Sequence, residues 1–298
     1  MTLEPIAVFV YNRPSHVQRV LEALGRNPEA SASDVFVFSD AAKAPAALPA
    51  VQEVRRRIRS AKGFGSVTVI EQEANLGVAR SIIAGVGDLT RQFGKVVVLE
   101  DDLLPSRHFL RYMNDALDLY QDVPEVISVH AYCYPVKRPL PETFFLRGAD
   151  CWGWGTWSRG WALFESDGRR LLSQLRERDL TFEFDLDGSY PYTRMLEDQI
   201  DGKNDSWAVR WYASAFLSER LTLYPGSSQV QNIGADGTGQ HVGRTDVFGH
   251  SQWGRRTTVE RTLIKESAEA RQAFARFLRS TQPSFARRMI GRVRRLFA

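Results

Sequence analysis

The sequence predicts an α/β fold in which a mainly parallel sheet is flanked by helices and the chain ends in a basic helical tail. Three observations carry this. Through the first 130 positions, short runs rich in Val, Ile and Phe alternate with amphipathic stretches of ten or more residues, the pattern of βαβ units with right-handed crossovers. The run KVVVL at 95–99 is continuously apolar after its lysine, as a strand buried on both faces is. Polar clusters follow directly after these runs, where an open parallel sheet gathers its ligands.

The elements read in order as follows. Residues 6–11 form a strand that ends at Asn12-Arg13-Pro14, where proline stops a strand and can open a helix. Residues 16–24 then place Val17, Val20, Leu21 and Leu24 on one helical face. DVFVFS at 34–39 is a second strand, 48–60 a polar-faced helix, SVTVI at 66–70 a third strand and 76–93 a helix. The fourth strand, 95–99, runs into Glu100-Asp101-Asp102; a helix over 106–120 and a strand over 125–129 follow. Beyond this the periodicity weakens. Residues 169–178 read as a helix, 197–205 as a polar acidic loop, 206–217 as an apolar helix, and 225–243, rich in Gly, Ser, Asn and Gln, as a long mobile loop. The expected division is 1–130, 131–250 and a tail over 251–298, the first two being halves of one domain.

The composition, 43% hydrophobic and 25% charged, is that of a globular chain and excludes wholesale disorder. The net charge of +4 is unevenly spread: from Gly254 onward there are twelve Lys or Arg and three acids, against 27 and 32 before it. That argues against a nucleic-acid surface on the body. Cys133 and Cys151 form no disulfide framework and no metal motif. The opening MTLEPIAVFV has no leader pattern, and no apolar run nears the ~20 residues that span a bilayer. The expected location is cytoplasmic. In the tail, Phe285, Met289, Val293 and Leu296 recur at helical spacing, with Arg287, Arg288, Arg292, Arg294 and Arg295 largely off that face. Such a stripe suits an anionic membrane surface or docking onto the domain; a peripheral membrane position through 285–298 is the expectation.

Arg13, Asp40 and Glu100-Asp101-Asp102 all fall at carboxyl ends of expected strands and so converge on one rim. Strand alternation directs Glu100 and Asp102 to one site and Asp101 aside. Carboxylates crowded at a buried strand end repel unless a cation joins them, and oxygen donors suit Mg²⁺ or Mn²⁺. The plain alternatives are a solvated acidic turn for the triplet, a surface arginine for Arg13 and a helix N-cap for Asp40.

VYNRP, FSD, NLGVARSI, VVVLEDDL, CWGWGTWSRGW, NDSW and QVQNIGADGTGQH, in this order and spacing, resemble GT-A-type glycosyltransferases over roughly residues 5–242. The resemblance is to the group related to N-acetylglucosaminyltransferase I and to bacterial sugar transferases of similar layout. It implies a GT-A-like, Rossmann-type sheet and a metal-dependent inverting transfer of sugar from a nucleotide diphosphate, with a UDP-sugar the expected donor. The acceptor would be a glycan or lipid-linked glycan, as in bacterial surface-glycan or glycolipid synthesis. On this resemblance Asp102 holds the metal and His241 can contact it or the diphosphate. Tyr11, Arg13, Asp40, Arg80, Glu100 and Asp101 contact the donor. Asp205 is the expected base that deprotonates the acceptor, with Asp150, Asp198 and Asp201 as competitors. Trp152 or Trp154 would face sugar, while Trp157 and Trp161 would pack in the core. The rival readings are a nucleotidyltransferase, which would need a glycine-rich phosphate loop where Tyr11-Asn12-Arg13-Pro14 stands, and a catalytically silent membrane-associated scaffold.

Overall fold

The computed structural model describes residues 3–237, 247–249 and 253–282; His241 and the basic tail over 285–298 lie outside the described residues. The strands are β1 Ile6–Val10, β2 Asp34–Ser39, β3 Ser66–Glu71, β4 Lys95–Glu100, β5 Leu103–Pro105, β6 Val126–His130, β7 Thr143–Arg147, β8 Trp154–Trp157, β9 Leu221–Pro225 and β10 Val230–Asn232. The helices are α1 Pro14–Leu24, α2 Leu48–Arg59, α3 Val78–Phe93, α4 Phe109–Leu119, α5 Ser158–Trp161, α6 Gly168–Glu177, α7 Thr181–Phe184, α8 Tyr192–Ile200, α9 Trp207–Leu217 and α10 Ala268–Thr281.

The result is an α/β fold around one eight-stranded sheet of order β3-β2-β1-β4-β8-β6-β9-β7. β1 lies parallel between β2 and β4, β3 parallel beside β2, and β6 parallel to β9. β8 is antiparallel to both β4 and β6, and β7 is antiparallel to β9. A separate two-stranded ribbon joins β5 to β10.

Why the first strands are so apolar is visible in the packing. Ile6, Val8 and Val10 of β1 join a core with α1, α2 and α4, whereas Ala7 and Phe9 join a second core with α3 and α9. β4 divides likewise, Val97 and Leu99 going to the first core and Val96 and Val98 to the second. Burial on both faces removes any need for polar alternation. Pro14 opens α1 at its first turn, where no amide hydrogen is needed. Gly94 ends α3 with φ +81°, the left-handed cap that glycine takes without a Cβ penalty. Asp167, Ser206 and Ser267 cap α6, α9 and α10 through their side-chain oxygens.

The second half departs from the sequence expectation in two places. Residues 197–200 belong to α8 and are not loop, because Leu196 packs against α6 and α9 and draws the acidic turn into the helix. The expected loop over 225–243 contains β10, since Val230, fully buried, pairs with Pro105. Among the described residues no helix is long and apolar enough to cross a membrane.

Candidate active site

The loops at the carboxyl ends of β1 and β4 meet because these strands are parallel neighbours, with Phe9 opposite Glu100. Arg13, on the loop between β1 and α1, reaches Asp101 and Asp102 with the same guanidinium nitrogen, the second at 3.0 Å. The Tyr11 amide also donates to Asp101, at 3.4 Å. Asp101 therefore does not turn aside: it points to the α1 face, as alternation from Leu99 requires, and there finds Arg13. Asp102 joins it because the chain turns after Glu100. Asp101 and Asp102 share a cation, and Glu100 is the carboxylate left on the α3 side. Arg13 itself is held by the two aspartates, which leaves its other terminal nitrogen buried without a hydrogen bond.

The electrostatics follow from this count. Three carboxylates face one guanidinium. Burial, then the neighbouring Asp102 and Asp101, push the Glu100 carboxyl up to about 8, while Arg13 opposes the rise. Burial raises Asp101 to about 6 against the pull of Arg13. Among the described residues no hydrogen-bond donor reaches the Glu100 carboxylate, and no three potential ligands are already gathered in a metal-binding group. Two carboxylates with a surplus of negative charge nevertheless fit Mg²⁺ or Mn²⁺, which ordinarily take one or two protein oxygens and complete their shell with water and phosphate.

The segment after β10 lies over this cluster. Ile233 donates its amide to the Asp102 carbonyl at 2.8 Å, and Gly234 packs on the Asp102 carboxylate. His16 in α1 holds the segment from below, its Nε2 lying 3.3 Å from the Ile233 carbonyl and 3.3 Å from an Asp236 oxygen. Nothing in the local sequence of 233–236 signals that contact; it follows from the pairing of β10 with β5.

Asp40 does not cap the helix that follows it; its carboxylate is engaged at the entry to α3. Its Oδ1 accepts from the amides of Ala41 and Leu76 at 2.9 and 2.8 Å, and its Oδ2 from Asn75 Nδ2 and the Gly77 amide, both at 2.9 Å. A carboxylate offers about four acceptor positions, so all are taken in fixing the entry to α3. Tyr11 is likewise engaged, its hydroxyl accepting from the Lys43 amide at 3.0 Å. Arg80 is exposed on the first turn of α3.

The tryptophan segment divides between rim and core, with Trp157 and Trp161 buried as expected. Trp154 is 1% exposed and packs among Trp161, Trp207 and Trp211, so its ring offers no face to a sugar; β8 turns it into the α3-side core. Trp157 is also core. Trp152 remains at the rim, half-buried, with its ring edge-on to Tyr132 and Phe248.

Two carboxylates compete for the basic role. Asp205 is 64% exposed; its nearest cation is Arg210 at 3.9 Å, and it stands beside Gly77 at the start of α3. It does not cap α9, a task that falls to Ser206. Asp198 and Asp201 are tied to Lys203. Asp150 lies four residues before the start of β8, and because β8 runs antiparallel its amino end lies at the carboxyl ends of β4 and β6. The Cys151 thiol is raised by burial and then by Asp150, Glu100 and Asp102, and it is hydrogen-bonded to the Asp150 side chain. Asp150 Oδ1 accepts from the Cys151 amide at 2.8 Å and lies 3.9 Å from His130.

No family model matches the chain, and no curated protein does. Among solved structures, the mannosyltransferase PcManGT from Pyrobaculum calidifontis, in complex with GDP-Man and Mn²⁺, is 22% identical over 47% of this chain and 37% of its own, with a TM-score of 0.34. S. aureus TarS 1-349 is 12% identical over 59% of this chain and 49% of its own, with a TM-score of 0.35. The chain thus spans less than half the length of either.

Proposed function

We propose that this chain transfers a sugar from a nucleotide diphosphate to an acceptor hydroxyl, as a GT-A-type glycosyltransferase. The observation that carries the reading is the acidic run Glu100-Asp101-Asp102 at the carboxyl end of β4, whose two aspartates hold Arg13 from the end of β1. Glu100 and Asp102 are the residues to hold a divalent cation, with Arg13 fixing Asp102. A bound Mg²⁺ or Mn²⁺ would supply positive charge to the departing diphosphate. His241 is a further candidate contact.

For the base, the geometry favours Asp150 over Asp205. Asp150 stands ahead of β8, on the rim where β4 ends, with Oδ1 accepting from the Cys151 amide and its side chain also bonded to the Cys151 thiol. Its carboxylate is the one to take the proton from the acceptor hydroxyl as the new glycosidic bond forms, in an in-line displacement that inverts the anomeric carbon. Trp152, next but one in the chain, would offer its edge to the acceptor.

The test is a thermal-shift screen of UDP, GDP, CDP and dTDP, each with Mn²⁺ or EDTA, on wild type and Asp102→Ala. A ligand held only by the native state at about 100 times its dissociation constant adds roughly 2.7 kcal/mol. Stabilisation by one nucleotide that needs metal and disappears in Asp102→Ala is the expected result and names the donor class. If no nucleotide stabilises the metal-loaded wild type, the sugar-transfer reading fails and a silent scaffold takes its place. With the donor known, Asp150→Asn is expected to lose transfer while keeping nucleotide binding, and Asp205→Asn to retain most of both.

A further inference from the structure

A recess of about 480 Å³ opens between α1 and β5, within the ~300–1,000 Å³ range of small-molecule sites. Arg19, Arg26 and Arg107 line it, all exposed, together with the ring of Trp253. Ala23, Leu104 and Pro105 supply apolar wall.

What sets these three arginines apart is that they gather in one concavity. Many arginines of the chain answer carboxylates, as in Arg55–Glu71 at 3.2 Å, Arg176–Glu197 at 2.9 Å and Arg178–Glu219 at 3.0 Å, and the exposed ones that do not, such as Arg80 and Arg276, stand apart from one another in the chain. Among the described residues no carboxylate pairs with Arg19, Arg26 or Arg107. Glu22 shares the wall but accepts from Gln18 at 2.8 Å, and Glu29 is committed to Arg111 at 2.8 Å. A cation just beyond α1 is favoured by the helix dipole, which accounts for Arg26 alone. It does not account for Arg19 in mid-helix or Arg107 on another segment. Like charges gathered in one concavity focus a positive potential and favour an anion there.

We propose that this recess binds a phosphate group carried on a small organic body. Guanidinium forks match phosphate oxygens in pairs, and the indole of Trp253 gives the attached body a flat apolar surface. The volume exceeds what a bare phosphate fills. Arg19 lies six residues from Arg13, on the order of 9 Å along α1, and β5 starts directly after Asp102. On the sugar-transfer reading, the ligand is therefore the phosphate-bearing part of the acceptor. A soluble sugar phosphate and an anionic lipid headgroup share this chemistry.

The test uses the full chain in EDTA without nucleotide, so that it stands or falls apart from sugar transfer. Glucose 1-phosphate is titrated by calorimetry in one arm. In the other, the protein is co-sedimented with phosphatidylcholine vesicles with and without phosphatidylglycerol. Arg19→Gln/Arg107→Gln and Trp253→Phe are compared with wild type and with Arg261→Gln, which lies outside the recess; circular dichroism checks that each is folded. The double variant is expected to weaken binding at least about tenfold, as the loss of two charge-assisted phosphate contacts should, with Trp253→Phe weaker than wild type and Arg261→Gln unchanged. A response in the calorimetric arm assigns a soluble sugar phosphate. A response only with phosphatidylglycerol vesicles assigns a headgroup. If neither arm distinguishes the double variant from wild type, the proposal is overturned.

Discussion

Gly234 packs on the carboxylate of Asp102 so closely that a Cβ at position 234 would overlap it. The backbone on either side has little freedom to retreat, because Ile233 is hydrogen-bonded to the Asp102 carbonyl and to His16. Gly234→Ala must move either the segment or the carboxylate, at an overpacking cost of about 1–3 kcal/mol. The expected outcome is a modest fall in melting temperature with loss of metal-dependent nucleotide stabilisation. A variant that melts lower yet keeps the full metal response would show that this contact does not fix Asp102.

Arg13 and Asp101 should behave as a buried pair. Their side chains are 19% and 5% exposed, so removing the cation strands a carboxylate that water cannot reach. Arg13→Gln is expected to cost about 3 kcal/mol, and Arg13→Gln/Asp101→Asn to recover much of that. Urea unfolding of the four members of the cycle measures the coupling; simple additivity would contradict the pairing.

Asp40 serves the start of α3. Replacing it by Ala leaves the amides of Leu76 and Gly77 and the Asn75 side chain without their acceptor, at about 1–3 kcal/mol for each group that stays buried and unpaired. Asp40→Asn offers one oxygen where two are used and should fall between. Denaturant midpoints give the stability order. The order of preference among nucleotides in the thermal-shift screen is expected to stay that of the wild type, whereas a changed base preference would restore Asp40 to the donor site.

His130 gives a pH signature. It is fully buried, its Nε2 accepts the Trp152 amide at 3.0 Å, and burial holds its pKa below the usual 6.5. Below pH 6.5 the unfolded chain takes up a proton that the folded chain refuses, so this residue's contribution to stability is lost as pH falls from 6.5 towards the folded value. The slope approaches about 1.4 kcal/mol per pH unit. His130→Phe should be less stable at pH 7 and should show a shallower loss between pH 6.5 and 5 in thermal melts. Parallel slopes for the two proteins would rule the histidine out.

The strands β1 to β4 and the helices between them were legible because each strand there is a mainly apolar run and each helix carries a single apolar face, so local pattern and burial agree. β8 was not. Trp154–Trp157 looks like a cluster of aromatics and glycines, and only pairing with both β4 and β6 makes it a strand. The same reason hid the standing of Asp150, whose approach to Glu100 and Asp102 depends on β8 running backwards. The engagement of Asp40 could not be read locally, because three of its four donors come from residues 35–37 positions away. Arg13 was placed at the right rim by the proline after β1, yet its partners could be identified only once β1 and β4 were neighbours.

The insertion of β8 has a mechanical meaning. A boundary at 130/131 falls at the end of β6, inside the continuous ladder that β8 makes with β4 on one side and β6 on the other. β1 and β4, after whose carboxyl ends Arg13 and Asp102 follow, cannot swing away from β8, which Trp152 precedes, without tearing main-chain hydrogen bonds across the middle of the molecule. On the proposed function, reactants would therefore come and go without a hinge between the two halves, the sheet staying a rigid floor.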